Sequence, residues 1–196
     1  MNYPERLFDA FMAPLEAAGL RRLRARIVGQ ASGRVLEIGA GTGANLPFYD
    51  WSRVKELTLS DVEPARLLQL RARAACRGGC AVVAADVHAL PFDAASFDTV
   101  VVALVLCSVE DQRVALGELA RVLAPAGRLL LIEHVRPPGT LGSVADHLNP
   151  AWYACNGECR INRRTQESVA EEGFTVESLT SHGRGTVIAA TASLGR

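Results

Sequence analysis

Lysine is almost missing from this chain. Lys55 is the only one, and arginine supplies the rest of the 21 basic residues. With so many alanines alongside, this reads as a GC-rich coding bias rather than a design for gripping phosphate. Net charge is missing too, because 21 acidic residues balance the basic ones, so no global field steers the chain toward nucleic acid. Long apolar runs are absent. The longest, residues 100–106, falls far short of the roughly 18–20 needed to span a bilayer. Glu5, Asp9 and Glu16 interrupt any secretory signal at the N-terminus. These absences lead us to expect a cytoplasmic protein with no integral membrane segment. The five cysteines make an odd count without secretory context, which favours reduced thiols over a disulfide framework. Cys76/Cys80 and Cys155/Cys159 share Cys-x-x-x-Cys spacing, whereas structural zinc prefers shorter knuckles and four converging ligands. No metal site is expected.

A chain of 196 residues suits one α/β domain spanning 1–196. Phe8, Phe11, Met12 and Leu15 recur at helical spacing, and Leu20, Leu23 and Ile27 mark a second helix, so residues 1–30 are predicted to form two cap helices. Strands are predicted at 34–38, 56–60, 81–85, 99–105 and 128–133, alternating with helical stretches, as in a parallel sheet covered on both faces. A helix is expected after the first strand, shortened by Pro47. Residues 175–179 and 186–191 read as a closing antiparallel hairpin. Between them and the fifth strand lies a Pro-, Gly-, His- and Cys-rich stretch. It is long for a connection, which predicts a lid over residues 136–162.

The run Val35-Leu36-Glu37-Ile38-Gly39-Ala40-Gly41-Thr42-Gly43 is a buried strand breaking into a glycine turn, the usual opening of a nucleotide-type cofactor site. Gly39-x-Gly41-x-x-Ala44 also satisfies the dinucleotide fingerprint. Glu37 separates the two ligands. A pyrophosphate wants bare N–H groups, whereas S-adenosyl-L-methionine (SAM) carries no phosphate and two positive charges, which a carboxylate suits. Asp61, 18 positions after Gly43, is placed at a strand tip to accept from ribose hydroxyls. Asp86 ends the next strand, where it can accept from the adenine amine.

The chain resembles the class I SAM-dependent methyltransferases, specifically the branch with the ubiquinone/menaquinone methyltransferases. Besides the glycine run, the resemblance rests on Asp86-Val87-His88-Ala89-Leu90-Pro91-Phe92, Ser96-Phe97-Asp98 and Arg121-Val122-Leu123-x-Pro125-x-Gly127-Arg128. It implies a Rossmann-like fold with a seven-stranded, mostly parallel sheet and helices on both faces. SAM would be held by Glu37, Gly39, Ala40, Gly41, Thr42, Gly43, Asp61, Val62, Asp86, Val87 and Leu104. A narrower resemblance, to the methyltransferase-like alkyl thiol S-methyltransferases, rests on Leu104-Val105-Leu106-Cys107-Ser108-Val109, Glu133-His134-Val135 and Asn149-Pro150-Ala151-Trp152. Cys159-x-x-Asn162-Arg163 resembles a pattern in bacterial relatives. The membrane-anchoring segment of the animal enzymes has no counterpart, and Glu158 stands where glycine is usual.

Methyl transfer from a sulfonium is an in-line displacement that mainly needs positioning and exclusion of water. A thiol requires little help to ionise, while a phenol or amine needs a placed base. His134, just past the fifth strand, is the candidate catalytic residue, with His147 second and Asp146 available to orient either. Tyr3, Phe8, His134, His147 and Trp152 are the candidate substrate contacts, and Phe48 and Tyr153 could extend an apolar wall. The expected reaction is methylation of a small lipophilic molecule, a thiol first. Ring O- or C-methylation, phospholipid N-methylation and a non-catalytic SAM- or metalloid-binding module stand as alternatives.

Overall fold

Successive side chains leave a strand on opposite faces, and in the run Val100-Val101-Val102 both faces are covered. Val100 and Val102 pack with Leu36, Leu129 and Leu131, while Val101 packs with Val35, Leu57, Leu59 and Leu130. A continuous apolar strand of this kind belongs at the centre of a two-sided sheet. The computed structural model, which describes residues 16–75, 80–156 and 159–195, places it there. Tyr3, Phe8 and the first predicted helix lie outside the described residues, as do Cys76 and Glu158.

Seven strands form one sheet: β1 (Gly33–Ile38), β2 (Val54–Asp61), β3 (Cys80–Ala84), β4 (Phe97–Ala103), β5 (Leu123–His134), β6 (Phe174–His182) and β7 (Val187–Leu194). Their order is β3-β2-β1-β4-β5-β7-β6. The first five run parallel, and β7 pairs antiparallel with both β5 and β6. Chain direction across the sheet reverses between β1 and β4, and ligands of open α/β sheets sit beyond the carboxyl ends of strands at such a switch point. The α-helices of the described residues are α1 (Arg21–Val28), α2 (Pro64–Ala74), α3 (Gln112–Val122), α4 (Gly139–Asn156) and α5 (Thr165–Glu171). Pro64 opens α2 at its first turn, where a missing N–H costs nothing. Asp111 caps α3 by accepting from the N–H groups of Arg113 and Val114.

Two predicted features are corrected. No α-helix follows the glycine turn. The chain passes through turns into a single 3-10 turn at Leu46–Phe48, because Gly41 and Gly43 both hold positive φ and Pro47 withholds a donor. The stretch after β5 is not an irregular loop either, since α4 occupies 18 residues of it despite Pro150. Pro150 and the glycines masked its helical spacing of apolar residues, which lies along an exposed face at Leu141, Val144, Leu148 and Trp152. Among the described residues no helix is long and apolar enough to cross a membrane.

Candidate functional site

The glycine turn is held from three sides. Gly39, Gly41 and Gly43 take φ of 59, 56 and 87°, a region that costs other residues about 1–2 kcal/mol. The Gly43 N–H donates to the Ala40 carbonyl at 2.9 Å, and the Ala40 N–H donates to the Ser60 carbonyl at 2.8 Å, tying the turn to β2. Arg73 of α2 donates to the carbonyl of buried Thr42 at 2.8 Å. A Cβ on Gly39 would lie 2.5 Å from Val105 Cγ2, whereas a Cβ on Gly41 would meet nothing within 4 Å among the described residues. Gly39 is therefore packed, and Gly41 presents open backbone to whatever approaches.

Glu37 supports this turn from beneath. It is buried, and its carboxylate accepts from Asn45 Nδ2 at 2.8 Å and Tyr49 Oη at 2.5 Å. Asn45 in turn accepts from Arg24 at 2.6 Å, and Arg24 is paired with Glu16 at 2.8 Å. Burial pushes the Glu37 carboxyl up to about 7 against the pull of these donors. Both of its oxygens are engaged already, so Glu37 braces the turn from below.

Asp61 ends β2 almost fully buried, with Oδ2 accepting from the Gly41 N–H at 2.8 Å and Oδ1 from the Glu63 N–H at 2.9 Å. Each oxygen has a second lone pair, so the same carboxylate can hold the turn and receive hydroxyl donors. Val62 beside it is 67% exposed, a large apolar surface left in solvent, while Val87 is buried. Asp86 departs from the simple expectation. Its Oδ1 accepts from the His88 N–H at 2.9 Å and meets His88 Nδ1 at 2.7 Å, and these bonds hold its carboxyl below the usual range. Leu104, at the tip of β4, has φ of 62°, a sparsely populated state for a branched residue that clusters at functional sites.

The second half of the site lies past β4 and β5, and sequence reasoning missed its main support. Glu133 is completely buried and accepts the N–H groups of Val105, Leu106 and Cys107 at 2.9, 3.0 and 3.2 Å. One carboxylate thereby shapes the connection from β4 to α3. Burial outweighs those bonds and pushes its carboxyl up to about 7. The segment after α4 is stitched over this connection. The Arg160 N–H donates to the Cys107 carbonyl at 2.9 Å, Arg163 donates to the Val109 carbonyl at 2.6 Å, and Asn149 accepts from the Ile161 N–H at 2.9 Å.

That stitching carries Cys159 to His134, whose Nδ1 lies 3.3 Å from the sulfur. The Cys107 thiol and the Trp152 side chain also hydrogen-bond to Cys159, and together these contacts bring its thiol down to about 5. Candidate contacts His134 and Trp152 are thus brought together, while His147 is exposed on α4. Asp146 orients neither histidine, since it is held by Arg136 at 2.8 Å. Tyr153 lies under the Arg160 guanidinium at 4.4 Å, and Phe48 lies 5.8 Å from Arg21, so both are engaged in cation–π pairs. No group of three metal-ligating side chains is arranged for an ion among the described residues.

The Asp61 carboxylate beside the Gly41 turn, with lone pairs to spare, fits a cofactor with ribose hydroxyls. Comparison with known proteins agrees. Residues 36–131 match the methyltransferase domain family. The chain is 36% identical over 183 residues to the ubiquinone/menaquinone biosynthesis C-methyltransferase UbiE of Idiomarina loihiensis, covering 87% of this chain and 70% of that protein. It is 32% identical over 154 residues to the rat (Rattus norvegicus) thiol S-methyltransferase TMT1B, covering 72% of this chain and 59% of that protein. For several curated relatives the chain spans about half of their length, from 42 to 59%. In fold it is similar to an S-adenosylmethionine-dependent methyltransferase from Mesorhizobium loti, with a TM-score of 0.72 and 18% identity over 90% of this chain and 97% of that one. The chain belongs to the class I SAM-dependent methyltransferases, and its cofactor is S-adenosyl-L-methionine.

Proposed function

We propose that this chain methylates a small lipophilic molecule, with a thiol sulfur as the first acceptor, and that one domain carries both cofactor and acceptor sites. The carrying observation is the group at the tips of β4 and β5, where His134 meets Cys159 at 3.3 Å beside Trp152. When bound, SAM supplies an electrophilic methyl group. Gly39, Ala40, Gly41, Thr42 and Gly43, with Asp61, would hold it against the β1 tip, and Val62, Asp86, Val87 and Leu104 would surround the rest. Glu133 keeps the Val105–Cys107 backbone in place on the acceptor side. Trp152 and the rest of residues 136–162 would close over the acceptor and exclude water. His134 would take the acceptor's proton, a light task for a thiol whose ordinary pKa is about 8.5. The resemblance to the thiol S-methyltransferase supports this choice, and the odd cysteine count fits a reducing cytoplasm.

A second reading, methylation of a quinol-like ring, is favoured by the UbiE relative. The test is a screen of thiols, phenols and quinols for methylated product, with the parent and His134→Ala. For a thiol, turnover should rise with pH toward the thiol's own pKa. His134→Ala should then cost about 10- to 100-fold, at or below the low end of general-base effects. Turnover of a quinol with no S-methyl product would overturn the thiol reading and promote the ring.

A further inference from the structure

Cys107 and Cys159 stand 52 positions apart in the chain, yet the fold brings them together at the acceptor end of the sheet. The Arg160 N–H fixes the backbone next to Cys159 onto the Cys107 carbonyl at 2.9 Å, and the two thiols hydrogen-bond to each other. Their surroundings differ. Cys159 is partly exposed and touches His134 Nδ1 at 3.3 Å, while Cys107 is 2% exposed with Ser108 Oγ at 3.6 Å. An accessible sulfur beside an imidazole and a buried sulfur behind it divide the roles of attacking and resolving thiol.

We propose that Cys159 and Cys107 form a dithiol redox site that takes small, apolar disulfides. The Cys159 thiolate attacks one sulfur of the disulfide, breaking its S–S bond and releasing one thiolate. The Cys107 sulfur then attacks Cys159 in the mixed disulfide. A Cys107–Cys159 bond forms, the second thiolate leaves, and the Cys107 proton goes to that leaving group. The bound disulfide is reduced to two thiols and the protein dithiol is oxidised. An oxidised site would pin residue 159 to residue 107 and so lock the segment following α4 over the β4 tip. This holds whichever acceptor is methylated, because it rests on the two thiols and needs no cofactor.

Among the described residues, the groups facing the Cys159 sulfur are His134 and Glu133 from β5, Cys107 from the β4–α3 connection and uncharged Trp152 from α4. His134, Cys107 and Trp152 favour the thiolate, and burial opposes it, bringing the thiol to about 5. At neutral pH the larger thiolate fraction is offset by weaker intrinsic nucleophilicity, so selectivity must be sought in acid. At pH 5.5 such a thiol is about 700-fold more ionised than one of pKa about 8.5, against a nucleophilicity loss of about 25- to 60-fold. The net advantage is about 10- to 30-fold.

The experiment treats the full chain, without SAM, with 4,4′-dithiodipyridine at pH 5.5, follows release of the coloured thione, and maps the modified cysteines by mass spectrometry. Cys159 should react before Cys155, and about 10- to 30-fold faster than the thiol of a small cysteine peptide measured alongside. Two thiones should leave per protein in the fast phase, with a Cys107–Cys159 crosslinked peptide as its product. Cys107→Ser should release one thione at the fast rate and keep the probe on Cys159. His134→Gln should slow the first step. Labelling of Cys155 as fast as Cys159, or a mixed disulfide on Cys159 that Cys107 never resolves, would overturn the proposal. Because the readout is thiol chemistry alone, its failure is distinct from a failure of the methyl-transfer reading.

Discussion

Gly39 and Gly41 share a backbone conformation but not a neighbourhood, which allows stability and binding to be separated by one methyl group. Both sit near φ of 57°, at 59 and 56°, so alanine at either position meets about 1–2 kcal/mol of left-handed strain. At Gly41 no atom of the described residues lies within 4 Å of the new Cβ. At Gly39 it would lie 2.5 Å from Val105 Cγ2, and valine is stiff about χ1, so relief needs backbone movement. Overpacking of this kind adds about 1–3 kcal/mol. Gly39→Ala should therefore lose about 2–5 kcal/mol, and Gly41→Ala only about 1–2. For a chain of this size Tm falls about 2–4 °C per kcal/mol. The binding order should be the reverse. The Gly41 Cβ would occupy the space where the cofactor meets the backbone, so SAM affinity in calorimetric titration should drop at least about tenfold, equivalent to 1.4 kcal/mol. Val105→Ala in the Gly39→Ala background should recover the overlap part, a coupling that a double-mutant cycle reads directly. Two results would refute this reasoning: Gly41→Ala binding SAM as tightly as the parent, or Gly39→Ala proving no less stable than Gly41→Ala in urea.

Asp61→Ala should weaken SAM by about 1–3 kcal/mol in the same titration, while NAD gives no signal with either protein. Glu37 and Glu133, both raised to about 7, bind more protons folded than unfolded. Their penalty is absent below about pH 4.5 and complete above about pH 7, so stability should decline across that window. Urea denaturation of Glu133→Gln should show a shallower decline, and an identical slope would exclude the assignment. Asp98 and Asp86, held low by Arg34 and His88, act in the opposite sense, their contribution being lost below about pH 4. Residues 136–162 should gain amide protection when the demethylated cofactor is added, and unchanged hydrogen exchange there would remove the lid role.

The strand ends around the glycine turn were legible in the sequence because their signals are local. A β-branched run, glycines at a strand end and Asp61 at the next strand tip each express a preference set within a few residues. Where local signals conflicted the reading failed, as in α4, where Pro150 and the flanking glycines hid a helix of 18 residues. The acceptor side was decided by tertiary structure. A carboxylate at a strand end looks the same in sequence whether it faces a ligand or the backbone, so only the fold shows that Glu133 serves three N–H groups and that Glu37 braces the turn from below. The meeting of His134, Cys107 and Cys159 depends on hydrogen bonds from Arg160 and Arg163 to carbonyls past the β4 tip. Backbone carbonyls are identical at every residue, so no sequence pattern could announce which of them those two arginines would find.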